Sequence, residues 1–210
     1  MTYKVKDHFY HKAKEEGFAA RSVYKLQELD KKGKFIKPGQ IVVDLGCAPG
    51  SWSQWLSQKL GPSGQVVGFD LSPVQLKLPN VYFYQADLLS TNVSEFLKDH
   101  KHPYPVDGVV SDMAPKTTGI RDVDQARSLE LCQIAFQTAV QILKPGGYFI
   151  CKMFQSKDFD IFRTELKQSF GKIEILKPDS TRSRSYEIFL LAHSAFTATT
   201  RSSPSYSRPS

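Results

Sequence analysis

IVVDLGCAPGSWSQWL, residues 41–56, changes its periodicity half-way along, and that change points to the architecture. Ile41, Val42 and Val43 form a β-branched run suited to a strand buried on both faces. Asp44, Gly46, Pro49 and Gly50 interrupt it, and Trp52, Trp55 and Leu56 resume at the helical spacing i, i+3, i+4. The stretch predicts strand, tight loop and helix. Glycines in the loop let a ligand approach the backbone, and the start of the helix offers unpaired N–H groups.

Working outward, Phe18, Val23, Leu26 and Leu29 share roughly one face of an upstream helix, which Pro38 and Gly39 turn into the first strand. Downstream, Gln65–Asp70 reads as a second strand, Leu71–Asn80 as an irregular proline-containing connection, and Val81–Asp87 as a third strand. A helix over Ser94–His100 precedes a fourth strand, Val106–Asp112. A long amphipathic helix, Asp122–Leu143, is closed by Lys144, Pro145 and a glycine pair. Tyr148–Phe154 is a fifth strand, Phe159–Phe170 a helix, and Ile173–Leu176 and Glu187–Ala192 the last two strands. This alternation predicts an α/β fold, a largely parallel sheet with helices on both faces.

A chain of 210 residues, 40% hydrophobic, suits one domain, expected over residues 1–196. The segment 197–210, TATTRSSPSYSRPS, has no apolar periodicity and is expected to be disordered. Cys47, Cys132 and Cys151 are odd in number and lack CxxC spacing, which argues against a disulfide framework and a zinc site. The charged start lacks a signal-peptide apolar core, and no run reaches transmembrane length, so a cytoplasmic location is expected. The five histidines show no metal-ligand spacing, and no metal is expected in the chemistry.

The net charge of +7 is uneven: residues 1–37 hold ten Lys or Arg against five Asp or Glu, and residues 180–210 hold four against one. Basic flanks on a near-neutral body suit a polyanion such as nucleic acid, with a solvated surface helix and tail as the plain alternative.

Asp44, Asp70, Asp87 and Asp112 all fall at or near the carboxyl ends of predicted strands, where open α/β sheets bind ligands. Singly, each could be a helix cap or a turn. Asp70, 24 residues after Gly46, is placed to accept hydrogen bonds from ribose hydroxyls. A dinucleotide loop would read GxGxxG and expose N–H groups to a pyrophosphate. Here Asp44 precedes the loop, and an acid there disfavours a diphosphate and suits a cationic ligand. S-adenosylmethionine, with its sulfonium and ammonium, fits.

The segments DHFYHKAKEEGFAARSVYKL, DLGCAPGSW, SDMAPKTTG, CKMFQ and RSRSYEIFLLA resemble the FtsJ-like family of RNA ribose 2′-O-methyltransferases, over about residues 7–193. The resemblance implies a Rossmann-like class I methyltransferase fold, a seven-stranded sheet whose last strand is antiparallel and carries Glu187. It implies S-adenosylmethionine as cofactor, with contacts at Gly50, Trp52, Asp70, Asp87 and Asp112. It places a catalytic tetrad on Lys25, Asp112, Lys152 and Glu187, with Lys152 as proton acceptor. Residues 1–37 become a basic, helical RNA-binding segment. The implied substrate is a uridine in the A-loop of 23S ribosomal RNA in the assembled large subunit, modified by a monomer with no membrane partner. Relatives with this tetrad also methylate tRNA or messenger-RNA caps, so tRNA stays an alternative. A non-catalytic RNA-binding assembly factor is the alternative of another class. A broken tetrad or cofactor loop would mark it, and both are intact.

The tetrad also makes chemical sense by itself. A ribose 2′-hydroxyl is a poor nucleophile and needs a proton acceptor and in-line positioning. Desolvation and a neighbouring Lys25 favour an uncharged Lys152 amine, whereas Asp112 and Glu187 favour the charged one. Lys25 as a surface cation and Glu187 as a strand-edge acid are the bland alternatives. Two residues depart from the family pattern: Lys116 replaces a polar amide and could add a phosphate contact, and Cys47, where Ala is commoner, reads as a small buried residue.

Overall fold

The computed structural model describes residues 8–181 and 185–196. The predicted tail, 197–210, lies outside the described residues, as do 182–184 of the RSRSYEIFLLA segment. Seven strands form one sheet: β1 (Ile41–Leu45), β2 (Gln65–Asp70), β3 (Val81–Gln85), β4 (Val106–Ser111), β5 (Leu143–Phe154), β6 (Phe170–Leu176) and β7 (Glu187–Ala195). Their order is β3-β2-β1-β4-β5-β7-β6. All pairings from β3 to β5 are parallel, while β7 runs antiparallel to both β5 and β6. This is the expected Rossmann-like, mostly parallel sheet with one reversed strand.

The described residues form six helices, α1 (His8–Glu15), α2 (Val23–Gly33), α3 (Ser51–Leu60), α4 (Val93–Asp99), α5 (Arg121–Ile142) and α6 (Phe159–Lys167). Alternation along β1 separates two cores. Val42 faces Leu26, Leu29, Trp52 and Leu56 of α2 and α3, whereas Val43 faces the α4–α6 side with Leu97, Ala135 and Phe162. Each fully buried Leu or Phe contributes about 1.5–3 kcal/mol, so both layers are needed to hold the central strands. Among the described residues, no helix is long and apolar enough to cross a membrane.

The upstream segment differs from the helix that Phe18 to Leu29 suggested, since α2 begins only at Val23 and a separate helix precedes Phe18. It is two helices, α1 and α2, and Gly17 at φ 75° breaks the chain between them. Phe18 then packs beside the small cluster of Ala13, Val23 and Tyr24. Two junctions also shift. Helix α6 stops at Lys167 and β6 starts at Phe170, three residues before Ile173, because Phe170 is buried under the α5 side. Strand β5 starts at Leu143, bridged to Val106, before the register slips and resumes at Gly108 with Tyr148.

Candidate active site

The strand order reverses between β1 and β4, and an open α/β sheet binds ligands in the crevice such a reversal leaves. A cleft of about 360 Å³ opens there, with Gly46, Ala48, Asp70, Asp87, Asp112 and Met113 in its walls. Gly46 has φ 75°, and a Cβ on it would stand 2.4 Å from Met113 Cγ, so only glycine lets the β1–α3 loop lie against the segment after β4. Asp70 ends β2 and is pinned by two backbone donors, the Ala48 N–H to Oδ2 at 2.9 Å and the Ser72 N–H to Oδ1 at 2.7 Å. Asp87 lies just past β3, where its Oδ1 accepts from the Leu89 N–H at 2.9 Å. Apolar walls come from Leu71, Leu88, Leu131 and Ile134.

Asp44 lies inside β1, fully buried. Ser53 Oγ donates to its Oδ2 at 2.6 Å, while its Oδ1 has no partner among the described residues. Burial raises the carboxyl to about 7, against the Ser53 hydrogen bond and with help from Asp112 and Asp70. Near neutral pH it is therefore only partly charged, unlike the fixed anion suggested by sequence.

Beside the cleft, the four tetrad residues meet from α2, the end of β4, β5 and β7. Lys152 Nζ donates to the Asp112 backbone carbonyl and, at 2.9 Å, to Asp112 Oδ1. Lys25 Nζ donates to Glu187 Oε2 at 2.7 Å. Both lysines are nearly buried, 7% and 6% exposed. Burial pushes the Glu187 carboxyl up, but Lys25, with help from Lys152 and Ser185, more than offsets it and holds the group below the usual range. That influence of Lys152 links the two ion pairs into one cluster.

The family model of the FtsJ-like methyltransferases matches residues 18–195. This chain belongs to the FtsJ-like methyltransferase family. Two relatives share a name, ribosomal RNA large subunit methyltransferase E. That of Bdellovibrio bacteriovorus is 56% identical over 191 residues, 91% of this chain and 97% of the relative. That of Desulfatibacillum aliphaticivorans is 48% identical over 190 residues, 90% of each. Among solved structures, a Plasmodium falciparum protein described as a ribosomal RNA methyltransferase superposes with a TM-score of 0.75 at 30% identity, covering 85% of this chain and 98% of that one.

For an FtsJ-like methyltransferase the cleft has a suitable donor set. Three acids and apolar side chains line it, with no Lys or Arg among them, so it favours a cationic, part-apolar methyl donor over a diphosphate. Asp70, Asp87 and Asp112 reach the cleft as read from sequence, but Gly50 and Trp52 do not line it. Gly50 caps α3 at φ 107°, packed so closely under Leu76 that a Cβ would stand 2.5 Å from its Cδ1. Trp52 turns into the core, where Nε1 donates to the Ser22 carbonyl at 2.8 Å.

Some participants escaped the sequence reading. Ser53, the partner of Asp44, lies in the first turn of α3 and carries no distinguishing pattern. Cys132 Sγ donates to the Lys152 carbonyl at 3.0 Å, bracing β5 from α5. Cys47 is buried, and burial pushes its thiol far up, so it packs rather than reacts.

Proposed function

We propose that this chain transfers a methyl group from S-adenosylmethionine to a ribose 2′-hydroxyl in RNA, the target being a uridine in the A-loop of 23S ribosomal RNA in the assembled large subunit. The observation that carries this reading is the convergence of Lys25, Asp112, Lys152 and Glu187 as two adjoining ion pairs beside an acid-lined cleft. The names of the two ribosomal RNA relatives support the choice of RNA.

In this scheme the cofactor supplies an electrophilic methyl group. Asp70 accepts from the ribose diol, Asp87 from the adenine amine, and Gly50 and Trp52 contribute backbone N–H groups. Lys152 takes the proton from the 2′-oxygen, and Asp112 fixes the amine in place with its carbonyl and carboxylate. Lys25 and Glu187 hold the neighbouring wall rigid and present a cation toward the developing alkoxide, an arrangement effective because it is preorganised and shielded from water. Positioned proton acceptance of this kind is worth about 10²- to 10⁴-fold in rate. Residues 1–37 grip RNA phosphates, residues 1–196 form one catalytic domain, and the protein works as a cytoplasmic monomer.

The test maps ribose methylation in ribosomal RNA from cells with and without the gene, and supplies purified protein with labelled S-adenosylmethionine to unmodified large subunits. One new 2′-O-methyluridine in the A-loop is expected. Label in tRNA would move the substrate. Cofactor binding without transfer to any RNA would support the assembly-factor alternative.

A further inference from the structure

At the other end of the sheet, the amino ends of β1, β4 and β5 meet the C-terminus of α2 around a second cleft, of about 270 Å³. Its chemistry is opposite in sign. Lys34, Lys37 and Lys144 line it, and Asp107 is the one carboxylate among the lining residues. Asp107 is already neutralised, by an ion pair with Lys144, and its Oδ2 accepts from the Ile41 N–H at 2.9 Å. His193 also lines the cleft and faces Glu174, itself paired with Lys172 at 2.9 Å. Lys34 and Lys37 have no acidic partner among the described residues, so two positive charges remain.

Two observations single out this cleft from an ordinary basic surface. Lys34 closes α2 at φ 49°, ψ 39°, its N–H bonded to the Asp30 carbonyl. Glycine is the usual residue at such a left-handed cap, and a side chain there costs roughly 1–2 kcal/mol. Lys101, just after α4, takes the same conformation at φ 58°, so what marks Lys34 is that its left-handed cap sets a lysine without an acidic partner in the wall of the cleft. Tyr148, 3% exposed, also lines the cleft, and its buried hydroxyl has no hydrogen-bond partner among the described residues.

We propose that this cleft seats a backbone phosphate of the RNA substrate, remote from the nucleotide being methylated. Tyr148 and Lys152 stand four residues apart on one face of β5, roughly 13 Å. Helix α2 bridges the same interval, since Lys25 to Lys34 spans about 13.5 Å. A stacked strand covers that distance in roughly four nucleotides at about 3.4 Å each. RNA laid along α2 thus reaches the catalytic lysines at one end and Lys34 and Lys37 at the other. The contact adds affinity and sets register without reading sequence.

This inference rests on RNA being the substrate, and Lys34→Gly tests it in a way a structural role cannot imitate. The variant relieves the left-handed strain, so its unfolding temperature should hold or rise while its Kd for an A-loop RNA fragment rises about fivefold. With Lys37→Ala added, Kd should rise about tenfold or more, and the slope of log Kd against log salt should fall by about 0.7–0.9, the loss of one phosphate contact. KM for large subunits should rise, with kcat at saturating subunits and cofactor affinity unchanged. Wild-type methylation of RNA together with an unaltered Kd and salt slope in the double variant would overturn the proposal. Failure of the wild type to methylate any RNA would strike instead at the proposed function, and RNA binding by the two proteins would still judge the cleft. Inorganic phosphate titrated against both separates the sources. A phosphate site lost in the double variant, with RNA affinity intact, would make this a free-anion site and overturn the RNA assignment.

Discussion

Lys25 Nζ lies 2.7 Å from Glu187 Oε2, joining residues 162 positions apart, with the lysine almost wholly out of solvent. Removing one partner of such a pair leaves an uncompensated buried charge, which costs about 3–5 kcal/mol, whereas replacing both is often neutral. Glu187→Gln should therefore destabilise by about 3 kcal/mol in urea unfolding, and Lys25→Met with Glu187→Gln should recover at least half. Methyl transfer should stay low in both. Additive stability losses would mean that the two side chains do not depend on each other.

Lys152 separates enzyme from scaffold. Lys152→Ala should lower kcat for methylation of large subunits by about 10²- to 10⁴-fold, leaving cofactor and RNA affinity nearly unchanged. Lys152→Arg should not rescue, because a guanidinium cannot give up its proton. Near-wild-type turnover of the alanine variant at saturating cofactor would remove Lys152 from the chemistry.

Asp70 has a double duty, since it pins the Ala48 and Ser72 N–H groups and faces the cleft. Charge-assisted hydrogen bonds are worth about 1.5–3 kcal/mol each. Asp70→Ala should weaken S-adenosylmethionine binding more than tenfold by calorimetric titration, with circular dichroism unchanged. Equal affinity for the two proteins would rule out Asp70 as a ligand contact.

Asp44 and Glu187 predict opposite pH dependences. The Asp44 carboxyl is raised to about 7. The folded state thus holds this proton more tightly than the unfolded chain, and its stabilising effect, present in full at low pH, is lost as pH rises from about 4 to 7. Three pH units correspond to about 4 kcal/mol. Asp44→Asn keeps an acceptor for Ser53 and cannot ionise, so its stability relative to wild type should improve between pH 5 and pH 8. Glu187 is depressed, so its contribution is present above the ordinary carboxylate range and lost as pH falls through its folded value. Denaturation midpoints for Asp44→Asn that track wild type across that range would contradict the first assignment.

Every strand was legible in the sequence because β-branched and aromatic runs lie between Gly, Pro and Asp punctuation, as with QVVGFD between Gly64 and Leu71. The acids of the cleft followed from their position at strand ends. The tetrad needed the family resemblance, since Lys25 and Glu187 look individually like surface charges until α2 lies against β7. What could not be read depended on direction. The spacing of Trp52, Trp55 and Leu56 marks a helix but does not say that the Trp52 side chain turns toward Ser22 and not into the wall of the cleft. Phe18 has the spacing of a helix with Val23, Leu26 and Leu29, but it lies in the connection after Gly17 and α2 begins only at Val23, so periodicity joined what the chain separates. Lys34 has the composition of any basic helix end, and nothing in its spacing says that it lines a cleft with Tyr148.

Strand β7 enters between β5 and β6 and pairs antiparallel with both. During synthesis, at about 5–20 residues per second, β1 to β5 can pair as they emerge, but β6 has no neighbour to bond until the strand made after it arrives. Glu187 is the first residue of that strand, so Lys25, among the earliest residues made, stays without its counter-ion through most of translation. The Lys25–Glu187 pair therefore closes only when the last strand docks on β5 and brings β6 with it, so the proposed tetrad is completed at the end of synthesis rather than assembled piece by piece.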